Sequence, residues 1–173
     1  METENSIRLL TLGEQTLAQA VFGNSIQWRS VWIHCESYLP FGLQWKFVGM
    51  TPNGEMYFIK ETYLKDFSVS SLSNQHFFMH EMTHVWQHQH GMWVRGRGLF
   101  SWLSTYNYTL VPGKVLSKYS MEQQAQIIAD YFLLKKYGVN GLKREIGRQA
   151  GFQGVSDNNT ILQYRAMLPA SIL

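Results

Sequence analysis

The sequence predicts an α+β fold in which a small antiparallel sheet or hairpin packs on a long helix, with further helices after it. Three observations carry this. Short β-type runs fall before residue 60, a helix occupies about Ser73 to His90, and a second strong helix opens at Ser120. With 173 residues, 45% hydrophobic and 16% charged, the chain can bury a core and fits a single domain over residues 1–173.

The elements follow in order. Thr11 precedes Leu12-Gly13-Glu14 and opens a short helix with Leu17, Ala18, Ala20, Val21 and Phe22 as its apolar face; Gly23 stops it. Ile26 to His34 alternates through Ile, Trp and Val and reads as a strand, and Ser37 to Gly42 is a loop around Pro40. Gln44 to Met50 and Glu55 to Lys60 form two strands joined by Thr51-Pro52-Asn53-Gly54, because Asn-Gly tolerates positive φ.

Ser68 to Asn74 is polar and feeds the helix from about Ser73 to His90, which Gly91 terminates. Trp93 to Lys118 is a long loop rich in Gly, Tyr and Trp, with a short helix near Phe100 to Ser104. Ser120-Met121-Glu122-Gln123 is a capping box, and its helix continues through Ile127, Ile128, Tyr131, Phe132 and Leu134 to about Tyr137-Gly138. Two shorter helices follow, around Leu142 to Gln149 and Thr160 to Met167.

Composition excludes several function classes. Lys and Arg exceed Asp and Glu by only 15 to 12, and the basic residues form no run, so no nucleic-acid partner is expected. Cys35 is the only cysteine, which rules out an intrachain disulfide and a cysteine-based zinc knuckle and suits folding in a reducing cytoplasm. Met1 to Leu10 has no basic stretch followed by a long apolar one, and no window approaches the length of a membrane span. The expectation is a protein made in the cytoplasm, whose export would use a route independent of a signal peptide.

The chemistry sits in His80-Glu81-Met82-Thr83-His84. On a helix, residues four apart lie one above the other, about 5–6 Å apart at Cβ, so two imidazoles there can share one tetrahedral ion. Glu81 is rotated about 100° from His80, beside the metal rather than on it, where it can take a proton from an activated water. Phe77, Phe78, Val85 and Trp86 give the same segment an apolar surface to hold it in a core. The ion these residues suit is Zn2+.

Two histidines need a third protein ligand, with the fourth position left for water. The candidates are a carboxylate on a later helix, or His34, His76, His88 or His90. Glu122 is the choice: it starts the next strong helix, and Gln126 and Asp130 follow it at successive steps of four. An acidic first-turn residue also suits the helix dipole without any metal. His88 would make a straight row of three ligands on one helix, and His90 lacks the intervening glycine its spacing would need. Gln126 or Asp130 is the candidate to orient a ligand histidine. Tyr119, Tyr106, Tyr108 and Tyr131 are candidate donors to an oxyanion, with Tyr119 the choice.

These motifs resemble a known group. Leu10-Thr11-Leu12-Gly13-Glu14, Val21-Phe22-Gly23-Asn24, Tyr57-Phe58, His80 through Gln87, Glu122-Gln123-Gln124-Ala125 and Ile128-Ala129-Asp130-Tyr131-Phe132 are similar to the compact bacterial zinc-metallopeptidase-like domains associated with Vgr and Rhs elements of type VI secretion. The resemblance covers roughly residues 8 to 137. It implies a minimal zincin-like fold of the gluzincin type, with Glu122 in the third-ligand position. One departure is Gln126, where gluzincins usually carry Asp.

The expected function is zinc-dependent hydrolysis of amide bonds, most of all an endopeptidase with Glu81 as general base, acting as a secreted effector on a peptide or protein substrate. Two alternatives stand beside it: a metal-stabilised adaptor or cargo module without turnover, and a peptidoglycan amidase or peptidase acting on cell-wall peptide. The resemblance adds a secretion-apparatus or immunity protein as a partner.

Overall fold

The computed structural model describes residues 5–44, 48–94 and 105–172. The short helix expected near Phe100 to Ser104, and the middle of the strand expected from Gln44 to Met50, lie outside the described residues.

Three strands, β1 (Ser6–Leu9), β2 (Trp32–Cys35) and β3 (Met56–Tyr57), form one sheet in that order. β1 runs antiparallel to β2 with Ile7 opposite His34, whereas β2 runs parallel to β3 with His34 opposite Tyr57. The sheet is therefore mixed, not purely antiparallel, because residues 36–55 carry the chain back to the start of β2 before β3 begins. Among the described residues the expected hairpin shows one antiparallel bridge, Met50 to Tyr57, closed by reciprocal backbone bonds of 3.1 and 2.8 Å. Its turn includes Gly54 at φ +82°, a backbone that side chains rarely adopt.

Of the strand expected over Ile26 to His34, only the second half is extended. Trp28–Ser30 is a 3-10 turn, which the Ser30 hydroxyl closes by donating to the carbonyl of Gln27 at 2.8 Å. β1 went unread in the sequence because its alternation is inverted: Ile7 and Leu9 are exposed, while Arg8 points inward. Arg8 answers Glu14, which is fully buried. The Glu14 carboxylate accepts from both Arg8 terminal nitrogens (2.7 and 2.8 Å), from the N–H of Thr11 (2.8 Å) and from the N–H of Phe67 (2.9 Å). One side chain thus ties β1, the first helix and the turn leading to the second.

Among the described residues four α-helices complete the fold: α1 (Leu12–Phe22), α2 (Leu72–Gln89), α3 (Met121–Glu145) and α4 (Thr160–Met167). Thr11 caps α1 with a capping box completed by Glu14, and Ser71 caps α2. The box at Ser120 forms as expected, its hydroxyl accepting from the N–H of Gln123. Gly138, at φ +69°, breaks α3 where an end is expected, but the helix resumes to Glu145, so the helix expected over Leu142 to Gln149 is displaced toward the N-terminus.

α2 is the middle layer. Phe78, Met79, Met82 and Val85 are fully buried, joining a core that includes Ile33, Met56, Phe58 and Phe67 on the sheet side and Ile127, Tyr131 and Phe132 from α3. Burial on nearly every side leaves α2 little amphipathic contrast, so its polar residues are the informative ones. No described helix is long and apolar enough to cross a membrane.

Glu14→Ala leaves the part-buried Arg8 guanidinium without its carboxylate and the N–H groups of Thr11 and Phe67 without their acceptor. The expected loss is about 3 kcal/mol of stability, read from urea denaturation; a parent-like midpoint would show that Glu14 does not fasten β1 to α2.

Candidate metal centre

A polar stripe runs down α2 at spacings of four, four and three: His76, His80, His84 and Gln87, all buried. α3 crosses it in antiparallel register, so each step forward along α3 meets a step back along α2. Glu122 lies 3.2 Å from Nε2 of His80 and 3.2 Å from Nε2 of His84. Gln126 reaches Nδ1 of His80 at 3.2 Å, and Asp130 reaches Nε2 of His76 at 2.7 Å. Asp130, expected against His80 or His84, is therefore one turn further along, on His76.

His80, His84 and Glu122 each offer one ligand atom, all within 4.8 Å of one another. With zinc bonds to nitrogen and oxygen of about 2.0–2.1 Å, two corners of a tetrahedron lie about 3.3 Å apart. The two 3.2 Å separations match that edge. Charged hydrogen bonds would span the same distance, so the far sides of the rings decide what the site needs.

The amide of Gln126 donates from Nε2 to the carbonyl of Gln149 and toward Asp130 at 3.4 Å, which leaves Oε1 for His80 Nδ1. The amide of Gln87 donates to the carbonyl of Met121 at 3.0 Å and to Gln124 at 3.3 Å, which leaves its Oε1 for His84 Nδ1 at 2.8 Å. Both rings thus carry hydrogen on Nδ1 and, when neutral, a lone pair on Nε2. Both lone pairs converge on one buried carboxylate oxygen. That arrangement is repulsive unless a cation sits among the three, and a proton or a metal ion answers the same field.

The electrostatics agree. Burial disfavours a charged ring at His84, but Glu122 and then Glu81 outweigh it and hold the imidazole up to about 9. For Glu122, burial would raise the carboxyl; the charge of His84 and hydrogen bonds from both rings overcome that and keep it well below the usual carboxylate range.

These residues form the floor of a cavity of about 870 Å3. Residues 48–52 build one wall with Tyr38, Leu39 and Pro40, and Tyr106, Asn107 and residues 147–151 build the other. Asp130, fully buried, cinches the second wall: its Oδ2 accepts from Tyr108 at 2.7 Å and from the N–H groups of Gly151 and Phe152 at 2.9 and 3.0 Å. Tyr164 in turn donates to the Tyr108 oxygen. Burial first, then the charge of Asp130, pushes both phenols well above their ordinary pKa.

Glu81 lies in the same cavity, its Oε2 accepting from the Thr51 hydroxyl at 2.6 Å. Tyr119, the expected oxyanion donor, faces elsewhere: its hydroxyl donates to the carbonyl of Thr109 at 2.8 Å and is not part of the cavity wall. Tyr131 is buried in the core and Tyr108 is taken by Asp130. Tyr106 is the tyrosine that lines the cavity near the histidines, its ring 5.8 Å from that of His80. Burial, then the charges of Glu122 and Glu81, push its phenol up to about 12, so it remains a neutral donor at physiological pH.

The other candidate ligands are occupied elsewhere. His34 is held by Glu36 and Glu55 at 3.1 and 2.7 Å, His88 packs on Gly54, and His90 binds the carbonyl of Trp86. Sequence reasoning missed Gln87, Gln124, Gly49 and Thr51. Gln87 had a signal, the polar stripe along a buried helix; the loop residues had none, since only the tertiary fold brings them to Glu81.

No family model matches the chain. It is 42% identical over 159 residues to the type VI secretion system spike protein VgrG2b of Pseudomonas aeruginosa, an alignment taking in 87% of this chain and 15% of that protein. The chain thus spans about 15% of the length of the curated relative it matches. Its structure matches that of the effector domain of Pseudomonas aeruginosa VgrG2b with a TM-score of 0.67 and 38% identity, covering 88% of this chain and 86% of that one.

A pH dependence follows from His84. Its folded-state value near 9 exceeds the unfolded value of about 6.5. The stability its proton contributes is fully present below pH 6.5 and is lost as pH rises through 9. Thermal denaturation of chelator-treated protein should show Tm falling across that window, while zinc-loaded protein, which has no such proton to lose, stays level over it. Equal slopes with and without zinc would mean that the ion does not replace the proton.

Proposed function

We propose that this chain, which belongs to the family of the VgrG2b effector domain, is a zinc-dependent hydrolase of amide bonds, acting as a peptidase. The observation that carries the reading is the pair of Nε2 lone pairs aimed at one Glu122 oxygen, each 3.2 Å away, with Glu81 in the same cavity. His80, His84 and Glu122 would hold the ion, with Gln126 and Gln87 fixing the rings through Nδ1. When bound, zinc supplies Lewis acidity, polarising a carbonyl and acidifying a water.

The chain's own residues do the rest. Glu81, with one carboxylate oxygen on Thr51, has the other available to take a proton from the attacking water and return it to the leaving amine. Tyr106 presents a neutral hydroxyl from the cavity wall, suited to the developing oxyanion. The cavity, open between two loop walls, has room for a short stretch of peptide. The substrate class is a peptide or protein, cell-wall peptide included, and delivery follows from similarity to a spike protein's effector domain.

A second reading is a metal-stabilised cargo module without turnover. The neutral amide of Gln126, in place of a carboxylate behind His80, favours it by polarising that ligand less.

Glu81→Gln separates the two. Under the hydrolase reading the variant keeps its zinc by elemental analysis and loses at least about a hundredfold in peptide hydrolysis; cleavage equal to the parent would sink Glu81 as the base. Glu122→Ala, in contrast, should lose the zinc itself. A parent that binds zinc but releases nothing from peptide libraries or purified cell wall would favour the cargo module.

A further inference from the structure

The segment from Gly49 to Gly54 lies along the face of α2 that carries Glu81 and His88, two turns apart. A Cβ built on Gly54 would sit 2.6 Å from the His88 ring, and one on Gly49 would sit 2.6 Å from Cδ and 2.7 Å from Oε1 of Glu81. Gly49 is not among the glycines with positive φ, so its backbone suits any residue. Glycine is needed there for close approach alone. Two residues on, Thr51 is buried and its hydroxyl donates to Glu81 Oε2 at 2.6 Å. The two oxygens of one carboxylate are therefore addressed from one short stretch of chain, Oε2 by a hydrogen bond and Oε1 by a bare Cα.

We propose that Gly49 and Thr51 are positioning residues that set the rotation of the Glu81 carboxylate, Thr51 by holding Oε2 and Gly49 by having no Cβ to push Cδ and Oε1 out of that rotation. The assignment rests on the reading of Glu81 as the base, and deepens it. A carboxylate free to rotate about its terminal torsion spends part of its time with neither oxygen aimed at the nucleophile, since such torsions are broad. One short charge-assisted bond selects a single rotation, and a residue with a Cβ at position 49 would push the carboxylate out of it. Close packing of the loop on α2 also needs a glycine, as Gly54 against His88 does, so the orientation of the Glu81 carboxylate is the readout that separates positioning from packing.

The test uses the zinc-loaded chain with Thr51→Val, Thr51→Ser and Gly49→Ala, followed by kcat, KM, zinc content and a crystal structure of each. Thr51→Val should lower kcat about tenfold to a hundredfold with KM and zinc content unchanged, Thr51→Ser should restore kcat, and Gly49→Ala should lower it as Thr51→Val does. In the crystal the Glu81 carboxylate of Thr51→Val and Gly49→Ala should be rotated or split between orientations. An unmoved carboxylate in both, or full kcat with the carboxylate moved, overturns the proposal. If the parent hydrolyses nothing while the carboxylate still moves in both variants, the positioning role stands and the hydrolase reading fails.

Discussion

Two imidazole lone pairs aimed at a single buried carboxylate oxygen repel it unless a cation, a proton or a metal ion, sits between them. That constraint organises the rest of the molecule. It requires both rings to be locked by acceptors on their far sides, which Gln126 and Gln87 supply, and it requires those amides to be locked in turn by Gln149, Met121 and Gln124. The hydrogen-bonded layer behind the ligands makes the tautomer a property of the fold rather than of either histidine.

The antiparallel crossing of α2 and α3 is the device that delivers these partners. Because the two helices run in opposite directions, Glu122, Gln126 and Asp130 meet the histidines in reverse order, and the carboxylate furthest along α3 falls on His76. Asp130 then faces away from the ion's position and toward the chain that closes the cavity, holding Tyr108, Gly151 and Phe152. One helix thus does two tasks at spacings of four: its first turn completes the ligand set, and its third builds the wall beside it. The neutral Gln126 between them keeps two buried carboxylates from facing one histidine.

The opposite wall is separately fastened. Arg8 and Glu14 bind β1 and α1 to the turn before α2, and the Met50 to Tyr57 bridge brings the return chain alongside the helix. The cavity is consequently bounded by two segments with no regular structure, each anchored at a buried carboxylate, Glu81 on one side and Asp130 on the other.

Some of this was legible in the amino-acid order alone. His80, Glu81 and His84 on one helix, the caps at Thr11 and Ser120 and the stop at Gly23 follow from local rules, because helical spacing and capping depend on residues within one or two turns of each other, whereas Glu122 was one of several candidate third ligands until the two helices were brought together. The tertiary structure decided what depends on distant chain. β1 was hidden because its inward residue is an arginine satisfied by a glutamate six residues on and by chain beyond residue 60. The sheet is mixed because of where residues 36–55 lead, the partner of Asp130 is His76 because of the direction in which two helices cross, and Thr51 and Gly49 meet Glu81 only after a loop folds back along α2. Local periodicity can say which side chains share a face; it holds no information about which other segment that face will meet.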